Sequence, residues 1–206
     1  MILEGVVTTT DAAGAPHVAA MGPLFDEADL AAGKVRRLAL RPFATSQTAS
    51  HLAERPAGVF HLTDDVLLLA RIVTGAVASS PAVRPATAVR GWVLEDACRA
   101  WEFVIEAADR SGDRQRLEAR VVAEHPGRPF LGFNRAAHAV VEGCILVTRL
   151  HLLGGAEVAR RLSDLEPLVE KTAGTREREA FALVLARARL ATPPNSSMLG
   201  HHADPQ

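Results

Sequence analysis

Apolar and polar positions alternate most regularly between Ala100 and Val121. In AWEFVIEAA, Trp101, Phe103 and Ile105 alternate with Glu102 and Glu106. After the turn DRSGD, Leu117, Ala119 and Val121 alternate with Glu118 and Arg120. Period two on both arms of a Gly-containing turn predicts an antiparallel hairpin. One face of each arm is apolar and the other charged, which suits a barrel or a sheet with one solvated side. Earlier segments read as shorter strands. EGVVTTT and HVAAMGPLF flank DAAGAP, a turn with Gly and Pro, and predict a first hairpin. DEADLAAGK reads as a polar loop, VRRLAL as a third strand and GVFHLT as a fourth. Between those strands, ATSQTASHLAERP predicts a short helix closed by Pro56. DDVLLLARIVTG predicts another, with Asp64 and Asp65 at the end where the helix dipole favours negative charge. SSPAVRPATAVRG reads as a loop.

The strand pattern stops at HPGRP, and from Phe133 the periodicity is helical. FNRAAHAVVEGCILVTRLHLL is interrupted only by Gly143. GAEVARRLSDLEPLVEKTAG predicts a second helical segment, bent or stopped near Pro167. TREREAFALVLARARL predicts a third, capped by Thr175, with Glu177 and Glu179 in its first turn. Residues 192–206 read as a disordered tail. The coarse division is a strand-rich part over 1–125 and a helical part over 126–191, an α+β arrangement.

The length of 206 residues fits one domain, or a domain with a subdomain, with a real core. A net charge of −1 argues against a nucleic-acid binder, and the absence of Tyr against a base-stacking platform. No stretch approaches the roughly 20 apolar residues of a membrane span, and the start carries no basic segment followed by an apolar run. Cys98 and Cys144 form neither a disulfide framework nor a metal quartet, and read as reduced, buried and structural. The expectation is a cytoplasmic protein with no metal site.

Strong catalytic motifs are absent: no Walker loop, no GxGxxG after a strand, no CxxC, no HExxH. Gly154-Gly155 reads as a helix C-cap, and His201-His202 lies in the tail. Asp64 and Asp65 need no role beyond a helix start. Two constellations remain. The first is RPFATSQTASHL, residues 41–52, where Thr45, Ser46, Thr48 and Ser50 cluster as a strand gives way to a helix. A cap needs only one hydroxyl. Thr45, Ser46 and Thr48 surround a first turn whose amides are unsatisfied and whose dipole is positive, a ready anion site. Arg41 can add a bidentate, charge-assisted bond, so a phosphate-bearing ligand competes with simple capping. The second is on the long helix. Arg135, His138, Glu142 and Arg149 stand at offsets 0, 3, 7 and 14, one stripe at about 100° per residue. Ala137, Val140, Val141, Cys144 and Val147 take the other side. A solvated face is the ordinary reading. The stripe also contains Ile145 and mixes charge signs, so packing on another subunit or lining a cleft is the alternative.

The order of these segments resembles the FMN-binding split β-barrel proteins, the flavin reductase-like group. It is most similar to a family of unknown function in that group, in which the barrel is followed by helices with a pattern like FNRAAHAVVEGCILVTRL. The resemblance covers about residues 2 to 190. It implies a split β-barrel with an α-helical C-terminal subdomain, a homodimer, and FMN at the subunit interface. The FMN phosphate would lie on Thr45, Ser46, Gln47 and Thr48 with Arg41. The isoalloxazine would lie against Ala20, Met21 and Gly22, the last allowing close approach. Arg135 and Arg149 would reach the site from the helices. The family usually shows Pro where Ala20 stands and Asn where His51 and His61 stand. The implied activity is an oxidoreductase of unknown small-molecule substrate, with a reduced pterin of one-carbon metabolism as one candidate and no side chain identified as catalytic acid or base. The alternative is a dimeric flavin-binding or accessory protein without turnover. Related barrels bind haem or a deazaflavin; haem would want an axial ligand such as His17, His51 or His61.

Overall fold

The computed structural model describes residues 1–76 and 80–191. The tail expected to be disordered lies outside them. In chain order the elements are β1 (Gly5–Thr10), β2 (Pro16–Met21), β3 (Leu24–Phe25), α1 (Glu27–Ala31), β4 (Arg37–Leu40), α2 (Gln47–Glu54), β5 (Ala57–Leu62) and α3 (Val66–Thr74). They continue with β6 (Val83–Pro85), β7 (Trp92–Leu94), β8 (Arg99–Asp109), β9 (Arg116–Pro126), α4 (Arg135–Thr148), α5 (Leu150–Leu153), α6 (Gly155–Thr172) and α7 (Thr175–Leu190).

Seven strands form one antiparallel sheet in the order β2-β1-β5-β8-β9-β4-β3. The sheet curls on itself. Strand β3 pairs with β4 on one side, and on the other the segment running into β1 meets it: Ile2 bridges Leu24, and the Phe25 amide donates to the Met1 carbonyl at 2.8 Å. The result is the split barrel with a C-terminal helical region that the resemblance implies. Its interior is filled by Phe25, Phe60, Trp101 and Phe103 with Val7, Leu38, Leu40, Leu52 and Leu117. The predicted alternation on β8 places Trp101 and Phe103 in this core. A second core joins α3, α4, α6 and α7 around Val140, Leu162, Phe181 and Val184. A smaller cluster of Val6 and Leu69 with Val18, Ala20 and Val141 bonds the helices to the outer face of β1 and β2.

Several local expectations change. The segment read as a polar loop contains α1, because Asp26 caps it by accepting from the Ala28 amide. The Pro-rich segment read as a loop contains the ribbon β6–β7, and Thr8 and Thr10 of β1 donate to the carbonyls of Trp92 and Arg90 along it. Helix α6 runs through Pro167 without stopping. Gly174, not Thr175, caps α7, where the Glu177 carboxylate accepts from the Gly174 amide at 2.8 Å. Cys98 is half-buried, while Cys144 is buried and its thiol is pushed up to about 12 by that burial. The charged face of β8 is not wholly solvated either: Glu102 is fully buried under the loop that follows β6.

No helix of the described residues is long and apolar enough to cross a membrane.

Candidate functional site

A cleft of about 670 Å³ opens between the end of β2, the start of α2 and the C-terminal half of α4. That is within the usual range for a small-molecule site. Its floor is Ala19, Ala20, Met21 and Gly22, with Ile2 and Glu4 from the N-terminal segment. One wall is Arg41, Pro42, Phe43, Thr45, Ser46 and Thr48; the other is Val141, Cys144, Ile145, Thr148 and Arg149.

The start of α2 explains the hydroxyl cluster in part. Ser46 is the N-cap: its Oγ accepts from the Ala49 amide at 3.2 Å and donates to the Phe43 carbonyl at 2.7 Å. Both capacities of that hydroxyl are used within the chain. Thr48 is buried and its Oγ1 lies 3.4 Å from His17 Nε2. Among the described residues, the Thr45 hydroxyl and the backbone amides of Thr45, Gln47 and Thr48 have no protein partner. They mark a first turn with donors left over.

A residue missed in the sequence stands beside them. Arg114, in the turn between β8 and β9, lies 4.0 Å over the Phe43 ring. The turn is stitched to this wall: the Ala44 amide donates to Asp113 at 2.8 Å and the Gln115 amide to Pro42 at 3.0 Å. Neither Arg41 nor Arg114 pairs with a carboxylate among the described residues. The only sequence signal for Arg114 was its place in the turn DRSGDR, which says nothing about where the turn docks.

The structure therefore brings Ala20, Met21, Gly22, Arg41, Thr45, Ser46, Thr48 and Arg149 to one cleft. Gln47 is exposed and is not among the residues that line it. Arg135 is not brought there. It starts α4, and Arg149 ends it, roughly 21 Å away at 1.5 Å per residue. The Cβ side of Gly22 is filled by the chain itself. A Cβ there would lie 2.7 Å from Ile2 and 2.8 Å from a Glu4 carboxylate oxygen. Glu4 thus packs on Gly22 at the cleft floor. Burial raises its pKa, the Glu142 carboxylate raises it further, and Arg149 partly opposes both.

The histidines are engaged by the chain. His61 is fully buried; its Nδ1 lies 3.1 Å from the Val6 carbonyl and its Nε2 3.0 Å from the Leu94 amide. That pair of bonds fixes the neutral ring with the proton on Nδ1, and burial holds its pKa down at about 4. Both nitrogens being used, His61 offers iron no lone pair. His51 Nδ1 lies 3.0 Å from Thr9 Oγ1, and its ring meets His17 edge to face at 5.1 Å. Burial, then His51, lowers the His17 pKa.

Residues 3–127 match the family model described as Protein of unknown function (DUF447) N-terminal domain, and residues 134–186 match its companion, Protein of unknown function (DUF447). This chain belongs to the DUF447 family. Among solved structures it is similar to the FMN-bound protein MM1853 of Methanosarcina mazei, of the same family, at 19 % identity and a TM-score of 0.76 over 90 % of this chain and 94 % of that one. It is also similar to the styrene monooxygenase flavin reductase of Pseudomonas putida S12, at 15 % identity and a TM-score of 0.49 over 62 % of this chain and 82 % of that one. No curated protein matches this chain.

Proposed function

We propose that this DUF447 protein is an FMN-binding flavoprotein of the oxidoreductase type, and that a second copy completes its cleft. One observation carries the reading: Thr45 and Thr48, whose backbone amides are left over at a helix start, line the same cleft as Arg41 and Arg114, which lack a carboxylate of their own. Amides at a helix start and two guanidinium groups suit a phosphate monoester, which supplies charge and several acceptor oxygens. The apolar floor beyond them, from Ala20 to Gly22 and across to Ile145, suits a flat aromatic ring. An FMN-bound relative with the same fold supports the choice of ligand.

When bound, FMN would supply the electron or hydride transfer. The chain's part is to hold and shape. Thr48, Arg41 and Arg114 would anchor the phosphate; Thr45 would donate from the exposed side. Met21 and Ile145 would exclude water from the ring. Glu4 would carry a proton at the floor to higher pH than an ordinary carboxyl.

The test is the visible spectrum and flavin fluorescence of the purified protein, before and after adding FMN. Oxidised-flavin bands that survive desalting, with altered fluorescence, are expected. A colourless protein that leaves FMN fluorescence unchanged would overturn the reading. Reduction of the bound flavin by NADH or NADPH, followed by reoxidation with an acceptor, separates an oxidoreductase from a protein that only holds the flavin.

A further inference from the structure

The half-buried pair of histidines beside the cleft has a regular construction. On the sheet side, Thr9 of β1 and His17 of β2 stand directly opposite each other in the antiparallel ladder, so their side chains share one face. On the helix side, Thr48 and His51 of α2 are three residues apart and share a face too. The two faces interlock crosswise. His17 Nε2 lies 3.4 Å from Thr48 Oγ1, and His51 Nδ1 lies 3.0 Å from Thr9 Oγ1. The rings meet edge to face, with centroids 5.1 Å apart. Each histidine thus reaches the threonine of the other element.

This square touches the cleft at one corner. Thr48 is 2 % exposed and lines the cleft, whereas Thr9, His17 and His51 do not line it. Strand β2 continues from His17 to Ala19 and Met21 on the same face, and both belong to the cleft floor. His17 therefore stands one step outside the cleft, next to a side chain that lines it. Among the described residues, the Thr48 hydroxyl has no partner other than His17.

What Thr48 can offer a ligand depends on that single contact. A hydroxyl has one proton, and a neutral imidazole donates from one nitrogen and accepts at the other. If His17 accepts at Nε2, Thr48 spends its proton on the ring and turns only lone pairs toward the cleft, which opposes a phosphate. If His17 donates from Nε2, the Thr48 oxygen accepts and its proton is left for the ligand. Burial, and then the neighbouring His51, favour the neutral His17 ring, so the choice lies between two tautomers. The charged groups on the elements around it are paired elsewhere: Glu54 of α2 lies with Arg55, and Arg71 of α3, which also packs on β2, pairs with Glu179. His61 supplies the contrast. Both of its nitrogens are tied to backbone groups, so the chain itself fixes that tautomer. His17 Nδ1 has no partner among the described residues, which leaves the tautomer for the occupant of the cleft to select.

We infer that His17 is a positioning residue for the phosphate anchor: it donates from Nε2 to Thr48 Oγ1 and so turns the Thr48 proton toward the ligand, while His51 braces its ring from Thr9. The inference rests on the proposed FMN cleft.

Fluorescence titrations with FMN and with riboflavin, which lacks the phosphate, test it. His17→Leu removes the donor. It is expected to weaken FMN binding by about threefold to tenfold, no more than Thr48→Val does, with riboflavin affinity and the far-UV spectrum unchanged. His17→Gln, whose side-chain amide can donate from about the place of Nε2, is expected to stay within about twofold of the wild type. In a Thr48→Val background, His17→Leu is expected to add less than about twofold, because the two side chains act through one bond. Long-range proton–nitrogen correlation spectra of the FMN complex read the tautomers, with the His17 signals identified by their loss in His17→Gln. They are expected to show the proton on Nε2 in His17 and on Nδ1 in His61. Equal losses for FMN and riboflavin, or an undiminished loss in the Thr48→Val background, would overturn the action through Thr48. An FMN complex with the His17 proton on Nδ1 overturns the donor role. Failure of the cofactor reading looks different: the wild type then takes up neither FMN nor riboflavin, and the inference falls with it, whereas FMN bound equally by wild type and His17→Leu removes the inference alone.

Discussion

Two places in this chain hold several backbone amides that no helix or strand partner satisfies, and they differ in what meets them. After β6, the amides of Thr87, Ala88 and Val89 and the Thr87 hydroxyl all donate to the Glu102 carboxylate, at 2.6 to 2.9 Å. His125 Nε2 adds a fifth contact at 2.6 Å, and Arg84 reaches His125 from behind at 3.3 Å. At the start of α2 the amides of Thr45, Gln47 and Thr48 meet no partner among the described residues, and Thr45 and Thr48 line a cleft. One set of donors closes on an anion that the chain itself provides. The other leaves its donors unfilled within the chain, beside two guanidinium groups. The first arrangement builds the fold; the second is where we propose that the phosphate of the ligand binds.

The comparison breaks most visibly at Glu102. Burial alone would raise its pKa, but the bonds from Thr87, His125 and Ala88 outweigh that and hold it at about 2. Against an ordinary value of 4.5, this depression is worth about 3 kcal/mol of stability. A carboxylate depressed on folding stabilises fully above its unfolded pKa and loses that contribution as pH falls toward its folded pKa. The wild type is therefore expected to weaken between about pH 5 and pH 2 through this residue. Glu102→Ala leaves three amides, a hydroxyl and a histidine without an acceptor, and is expected to cost about 3–5 kcal/mol at neutral pH. Urea denaturation at several pH values measures both. A variant within 1 kcal/mol of wild type, on the scale of surface substitutions, would mean that the carboxylate does not hold the loop.

The donors at α2 should behave in the opposite way. Arg41→Ala and Arg114→Ala each remove a charge-assisted partner of the proposed phosphate. Each is expected to weaken FMN binding by about tenfold to a hundredfold, with stability changed by less than about 0.5 kcal/mol. Thr48→Val, nearly isosteric, removes a neutral donor and should cost about tenfold or less. Fluorescence titration with FMN, beside titration with riboflavin, which lacks the phosphate, reads these effects directly. Losses of equal size for both ligands would place the arginines away from the phosphate.

The same contrast shows what the sequence could reveal. Trp101 and Phe103 declared the barrel interior because a half-buried strand repeats with a period of two. Glu102 broke the inference from that pattern. Its outward face is covered by a loop some fifteen residues earlier, and its position is set further by a shift in register between Glu102 and Phe103. Long-range cover of this kind leaves no local periodicity. Asp64 and Asp65 divide likewise. Asp65 caps α3 as its position suggests, accepting from the Leu68 amide, whereas Asp64 anchors Arg128 and the loop before α4. The hydroxyl cluster at 45–48 was legible because a helix start is local. Arg114 was not, because the turn that carries it docks more than sixty residues back along the chain. The stripe on α4 was visible in the sequence, but only the three-dimensional arrangement separates Arg135 from Arg149 and brings Glu4 to Glu142.

Glu4 gives the smallest effect and the finest comparison with Glu102. Both are carboxylates in contact with backbone, yet one is surrounded by donors and the other rests on Gly22 without a hydrogen-bond partner among the described residues. Their pKa values move in opposite directions. Burial is the larger cause at Glu4, Glu142 adds to it, and Arg149 subtracts. A carboxyl raised on folding favours the folded state below its unfolded pKa and loses that contribution as pH rises through its folded pKa. The same ionisation places a negative charge at the floor of a cleft proposed to take an anionic ligand. FMN affinity is thus expected to fall a few-fold as pH rises through the Glu4 transition, above 4.5. The phosphate of FMN also titrates near pH 6, so the FMN profile of Glu4→Gln is the control that isolates the side chain. Glu4→Gln should bind FMN at high pH more tightly than the wild type does, near the affinity the wild type shows when Glu4 is protonated. Glu142→Gln, by removing one of the two causes, should shift the transition toward lower pH and keep its amplitude. FMN profiles of wild type and Glu4→Gln that coincide from pH 4.5 to 8 would remove Glu4 from the ligand's surroundings and leave it as packing for Gly22 alone.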